Sequence, residues 1–222
     1  MPDGVIFDMD GVLVDSYRAH FESWRQLGRQ YGLEMTEAQF AATFGRTSRD
    51  IIRNLWGQAI PDEQVAAADE RKEACYRQII ARDFPAMPGA SELLAALHAA
   101  GFAMAIGSSG PPANVRAVLD ALPNGRLISQ CVTGAEVTHG KPDPQVFLLA
   151  AGKLGLAPAR CAVVEDAPAG VEAAVRAGMV AIAITGTAPR EKLSHAHLVI
   201  ESLSELTPAV IAELIARRAR GG

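Results

Sequence analysis

The stretch Gly4-Val5-Ile6-Phe7-Asp8-Met9-Asp10-Gly11-Val12-Leu13-Val14-Asp15 decides how the rest of the chain is read. Its first four residues carry no charge, and the run ends on an acid. That is the pattern of a buried strand, Gly4 to Asp8, with a carboxylate at its C-terminal end. A glycine-containing turn follows at Met9–Val14. Beyond Asp15 helix formers take over. Phe21, Trp24 and Leu27 recur at helical spacing. Thr36-Glu37 and Thr47-Ser48-Arg49-Asp50 restart the pattern, and Pro61-Asp62-Glu63 opens a long helix to about Ala81. Four helices and no strand are expected here, with Trp24, Phe44 and Trp56 in their core.

From Pro85 onward short strands alternate with helices. The expected strands are Phe102–Gly107, Ser129–Val132, Cys161–Glu165, Val180–Ile184 and His197–Ile200. The expected helices are Ala90–Ala99, Pro112–Ala121, Pro144–Leu154, Ala167–Ala177 and Pro208–Arg218. This alternation specifies an α/β fold with a parallel sheet covered on both faces. The first strand is separated from the others by about seventy helical residues. The economical explanation is a helical domain inserted into the α/β one. The tail from Arg217 to Gly222 reads as a frayed basic end.

Composition narrows the function classes. The 222 residues carry 21 Lys+Arg against 25 Asp+Glu, a net charge of −4. No global field draws nucleic acid or an anionic membrane, and neither is expected as a partner. No apolar run approaches the ~18 residues of a membrane-spanning helix. Met-Pro-Asp-Gly at the start lacks the basic and apolar regions of a signal peptide, so a cytoplasmic location is expected. Three scattered cysteines, Cys75, Cys131 and Cys161, fit reduced core thiols rather than a disulfide framework. A monomer or weak homodimer is expected.

In a parallel sheet, ligands gather outside the C-terminal strand ends. The first strand delivers Asp8, with Asp10 two residues on. The second delivers Gly107-Ser108-Ser109-Gly110, and the fourth Glu165-Asp166. A turn between them carries Gly140-Lys141-Pro142-Asp143-Pro144. Several carboxylates, a hydroxyl and an ammonium converging on one crevice suit Mg2+ and a phosphate, because hard cations take oxygen ligands and neutralise clustered acids. Asp8 and Asp166 supply ligands, with a backbone carbonyl of the turn. Asp8 can attack phosphorus as a carboxylate nucleophile and form an aspartyl phosphate. Asp10 can protonate the leaving oxygen and later deprotonate water. Ser108, neighbouring backbone N–H groups and Lys141 stabilise the transferring oxygens. Only four lysines occur in the chain, Lys72, Lys141, Lys153 and Lys192.

Taken together, Asp8-Met-Asp10-Gly11-Val-Leu-Val-Asp15-Ser16, Ser108 after an apolar strand, Lys141 in Gly-Lys-Pro-Asp-Pro, and Glu165-Asp166-Ala-Pro-Ala-Gly170 resemble the four motifs of the haloacid dehalogenase superfamily. The resemblance spans essentially the whole chain. It implies a Rossmann-like three-layer core at residues 1–15 and 86–222, and an all-helical cap domain at 16–85. It implies a metal site of Asp8, Asp10, Glu165 and Asp166 holding Mg2+, with Gly11 and Ser109 beside the substrate. The segment Tyr17-Arg-Ala-His20-Phe21-Glu-Ser-Trp24 resembles the branch of beta-phosphoglucomutase and the sugar-phosphate phosphatases. That branch implies substrate-reading roles for His20, Arg49 and Lys72, with His20 near Asp10. Asp10 argues for phosphoryl transfer to and from oxygen. Gly110-Pro111-Pro112 stands where the mutase pattern has a Lys-Asn pair. The expected function is therefore a Mg2+-dependent phosphatase of a small phosphorylated metabolite, of which a sugar phosphate is the leading case. A sugar phosphomutase is the first alternative, and a catalytically silent binding module on the same fold is the second.

Overall fold

A computed structural model of the chain describes residues 2–43, 48–57 and 59–221. After β1 (Gly4–Phe7) come α1 (Tyr17–Gln30), α2 (Glu37–Ala41), α3 (Ser48–Trp56) and α4 (Asp62–Arg82). The alternating part follows as α5 (Ala90–Ala99), β2 (Ala103–Gly107), α6 (Pro112–Ala121), β3 (Gln130–Val132), α7 (Gln145–Leu154), β4 (Cys161–Glu165), α8 (Pro168–Arg176), β5 (Val180–Ile184), β6 (Leu198–Ile200) and α9 (Pro208–Gly221). Two compact units result: Met1–Asp15 with Pro85–Gly222, and Ser16–Phe84.

The first unit is a three-layer α/β structure. Its six strands are all parallel, in the order β3-β2-β1-β4-β5-β6. Every residue of β4 and β5 is buried, as a sheet covered on both faces requires. Helices α7 and α8 pack on one face, over Ile6, Ala105, Val163 and Ala181. Helix α5 packs against β2, and α9 against β4 and β5, with Leu94, Leu97 and Ile211 fully buried. Each such aliphatic side chain contributes about 1.5–3 kcal/mol through its removal from water. The chain runs outward from β1 in one direction through β2 and β3, and in the other through β4, β5 and β6. The switch point therefore falls between β1 and β4, where a crevice opens at the strand ends.

Two boundaries differ from the sequence reading for identifiable reasons. His197 lies outside β6: its backbone N–H donates to Ala181 O (2.8 Å), and its Nδ1 accepts from Ala181 N (3.0 Å), so a side chain replaces a ladder bond. The described part of the expected frayed tail, residues 217–221, is instead the last part of α9, where Arg218 Nε donates to Gly178 O at 2.9 Å. Each outer strand also carries a basic side chain on a carbonyl. Lys153 Nζ donates to Cys131 O of β3 (2.7 Å), and Arg190 Nη2 to Val199 O of β6 (3.0 Å).

The regular elements of the second unit, among its described residues, are all helices. Trp24, Leu27, Met35, Phe40, Ile51, Ile52, Val65 and Ala68 form its core. The Thr36 start is a capping box: Thr36 Oγ1 accepts from Gln39 N, and Gln39 Oε1 from Thr36 N. Phe44, Thr47 and the side chain of Trp56 lie outside the described residues.

Candidate active site

Neighbouring strands bring Asp8 and Glu165 together. Asp8 N still donates to Val164 O at 2.9 Å, so its side chain emerges where the β1–β4 ladder ends. The turn after it closes on Met9 O, which accepts from Leu13 N (2.9 Å) and Val14 N (3.2 Å). Gly11 sits in this turn at φ +77°, and a Cβ there would lie 2.0 Å from Asp166 Oδ2. The absence of a side chain at Gly11 thus lets the Asp166 carboxylate reach the β1 turn. Thr187, in the segment after β5, hydrogen-bonds to Asp166, and its Oγ1 would lie 3.0 Å from the same Gly11 Cβ.

Lys141 reaches the same place from the segment before α7. Its Nζ donates to Asp8 Oδ1 at 2.5 Å and Glu165 Oε1 at 2.6 Å, and lies 4.9 Å from the centroid of the Phe147 ring. The second oxygen of Glu165 accepts from the N–H groups of Asp166 (2.8 Å) and Ala167 (2.7 Å) at the start of α8. Both oxygens of Glu165 are therefore engaged. Only one oxygen of Asp8 is used by Lys141.

Ser108 follows β2 and is 1% exposed. Its N–H donates to Val132 O (3.0 Å), and its Oγ accepts from Gly110 N (3.0 Å). With that lone pair occupied, its own hydroxyl hydrogen remains available as a donor. Ser109 is exposed, and Asp10 is half-buried in the turn after β1.

Oxygen atoms of Asp8, Glu165 and Asp166 lie within 4.8 Å of one another, and all three residues are buried. Burial pushes the Asp8 carboxyl up to about 7; Lys141 opposes this, while Glu165 and Asp10 add to it. Burial, then the charges of Glu165 and Asp8, pushes Asp166 up to about 8. Burial alone would lower the Lys141 ammonium, but the charges of Asp8 and Glu165 outweigh it and hold its pKa above the ordinary lysine value. One ammonium does not neutralise three clustered carboxylates. An all-oxygen set with excess negative charge and an unengaged Asp8 oxygen fits a hard divalent cation. Asp10 lies outside this group of three carboxylates.

In the helical unit, Lys72 is 3% exposed and its Nζ lies 2.8 Å from His20 Nδ1 and 2.9 Å from Glu73 Oε1. Ser48 Oγ donates to the same Glu73 oxygen at 3.3 Å, and His20 stacks on Tyr76 with centroids 4.1 Å apart. Two of the expected substrate-reading residues thus meet in one buried polar cluster. The third, Arg49, has a side chain 68% exposed and reaches Asp69 at 3.8 Å.

Three residues of the site escaped the sequence reading: Thr187, Phe147 and, in its close approach to Glu165, Gly170. The strand-end rule that found Asp8 and Glu165 also points to the segment after β5, where Thr187 lies. Phe147 reads as an ordinary apolar helix residue.

Clustered carboxylates at the end of a parallel strand, on a sheet interrupted after its first strand by helices, define a class of hydrolases. The family model described as haloacid dehalogenase-like hydrolase matches residues 2–178, and the chain belongs to that family, in the branch of beta-phosphoglucomutase and the sugar phosphatases. It is 37% identical over 206 residues to hexitol phosphatase A of Escherichia coli (strain K12), covering 92% of this chain and 93% of that protein. It is 30% identical over 216 residues to beta-phosphoglucomutase of Bacillus subtilis (strain 168), covering 94% and 93%. The crystal structure of a HAD hydrolase, family IA, variant 3, from Entamoeba histolytica matches with a TM-score of 0.86 at 26% identity, covering 96% of this chain and 99% of that one. No described helix is long and apolar enough to cross a membrane.

Proposed function

We propose that the chain is a phosphatase that hydrolyses a small phosphorylated sugar or polyol through an aspartyl phosphate on Asp8. The observation that carries this is the Asp8 carboxylate, held at the switch point with Lys141 on one oxygen and the other left unengaged by that ammonium. Attack forms an Asp8 O–P bond and breaks the ester P–O bond, and the leaving alkoxide takes a proton from Asp10. Asp10 then removes a proton from water, which attacks phosphorus. The Asp8 O–P bond breaks, and inorganic phosphate leaves. Ser108 and Lys141 donate to the transferring oxygens, with Gly11 and Ser109 beside them. Mg2+ would be held by Asp8, Asp166, Glu165 and the turn at Asp10, and when bound it would supply charge neutralisation for the dianionic group. Choice of substrate is assigned to His20, Arg49 and Lys72 on the family resemblance.

Phosphate release from p-nitrophenyl phosphate and from a panel of sugar and polyol monophosphates, with and without Mg2+, tests the reading. Release that requires Mg2+ supports it. No release with any divalent metal supports the silent module instead. The relationship to a beta-phosphoglucomutase favours a second reading, phosphoryl return to a sugar hydroxyl. Glucose 1-phosphate offered with a bisphosphate primer separates the two: glucose 6-phosphate without net phosphate release means a mutase.

A further inference from the structure

We propose that Gln145 is a positioning residue for Lys141, its side-chain carbonyl anchoring the loop that sets the ammonium between Asp8 and Glu165. The inference rests on the role given to Lys141 above.

Gln145 is the first residue of α7. Its Oε1 accepts from Thr138 N (2.9 Å), His139 N (3.0 Å) and Thr138 Oγ1 (3.2 Å). Its own N–H donates to Asp143 Oδ1 at 2.9 Å, and Asp143 N donates to Gly140 O at 3.0 Å. These bonds close the segment on both sides of Lys141. Thr138, His139 and Gly140 are exposed, so burial does not hold them. The segment takes part in no sheet ladder. Two residues further along α7, Phe147 supplies the ring beneath the ammonium. One helix start thus provides both the floor under Lys141 and the tie on its backbone.

The ion pairs alone leave the ammonium poorly fixed during turnover. Asp8 exchanges its free carboxylate for an acyl phosphate and back in each cycle. Glu165 has only one oxygen toward Lys141, the other being held by two backbone N–H groups. A tie independent of Asp8 keeps Nζ in place while that charge changes. All three donors use the carbonyl oxygen of Gln145. A carboxylate can replace it there, whereas a thioether of similar length cannot.

Gln145→Met and Gln145→Glu are compared with the unaltered protein in two assays. The first is mass-spectrometric acylation of the four lysines, which needs no activity. The second is kcat and KM on a substrate that the unaltered protein hydrolyses. Gln145→Met is expected to acylate Lys141 about tenfold faster while Lys72 stays protected, and to lose about ten- to a hundredfold in kcat. Gln145→Glu is expected to stay within about twofold of the unaltered protein in both assays. Unchanged protection of Lys141 in Gln145→Met overturns the proposal. So does failure of Gln145→Glu to restore it, or equal exposure of Lys72, which reports general unfolding. If the unaltered protein releases no phosphate, the phosphatase reading fails on its own, and the acylation assay still decides the role of Gln145.

Discussion

Gly170 of α8 faces the Glu165 carboxylate so closely that a Cβ at this position would lie 1.8 Å from Oε1. The carboxylate occupies the space a side chain would need. It cannot move aside without giving up Lys141 or the N–H groups of Asp166 and Ala167. Gly170→Ala is therefore expected to destabilise the fold by about 1–3 kcal/mol, the cost of buried groups left unpaired. It should also lower kcat at least about tenfold, because Lys141 shifts with its partner. Urea unfolding and steady-state kinetics check the two effects.

Removal of the metal is expected to make stability depend on pH. Asp8 and Asp166 are pushed from 3.8 to about 7 and about 8 in the folded chain. Between about pH 4 and pH 8 the folded state thus binds more protons than the unfolded one, so stability falls as pH rises through that window. A divalent cation competes with those protons. The rise in Tm on adding Mg2+ to protein kept in chelator should grow from pH 5 to about pH 8 and then level off. Thermal melts at matched ionic strength measure this. A rise that shrinks with pH would contradict the assignment.

Asp8→Asn separates chemistry from folding. Phosphate release should fall at least about a thousandfold, since an amide oxygen is a poor nucleophile. The substitution also removes a carboxylate whose charged form is disfavoured by burial and by Glu165 and Asp10. In chelator at pH 8 its Tm should equal or exceed that of the unaltered protein. Residual turnover in clean preparations, or a lower Tm under those conditions, counts against the role given to Asp8.

Lys72 and Glu73 form a buried ion pair in the helical unit. Lys72→Met leaves a buried carboxylate, and Glu73→Leu a buried ammonium. Each should cost about 3–5 kcal/mol, while the double variant recovers most of the loss. A double-mutant cycle in urea measures the coupling.

Much of the core was legible because its signals are local. The all-buried runs of β4 and β5, and acids placed just after apolar strands, state both the element and its chemistry. A parallel sheet covered on both faces follows from the alternation of strands and helices, whereas the order of its strands comes from the structure. The rest was hidden because it depends on how side chains approach one another once the elements are in place. The strand-end rule reaches the segment after β5 but does not single out Thr187 as the partner of Asp166, and the contact of Gly170 with Glu165 exists only once β4 turns into α8. In α4, Glu70, Arg71, Lys72 and Glu73 look like one solvated face. Glu70 and Arg71 are indeed exposed, but Lys72 and Glu73 turn inward and satisfy each other. Polarity alone does not report that pairing.

The borders of the sheet bear on how this chain behaves when crowded. A foreign strand arriving beside β3 or β6 must first strip Lys153 from Cys131 O, or Arg190 from Val199 O. Each displacement exposes a charge to an apolar newcomer, so lateral growth of the sheet is unfavourable. Neutralising Lys153 and Arg190 together should leave a chain that clumps during refolding at concentrations where the natural one stays dispersed.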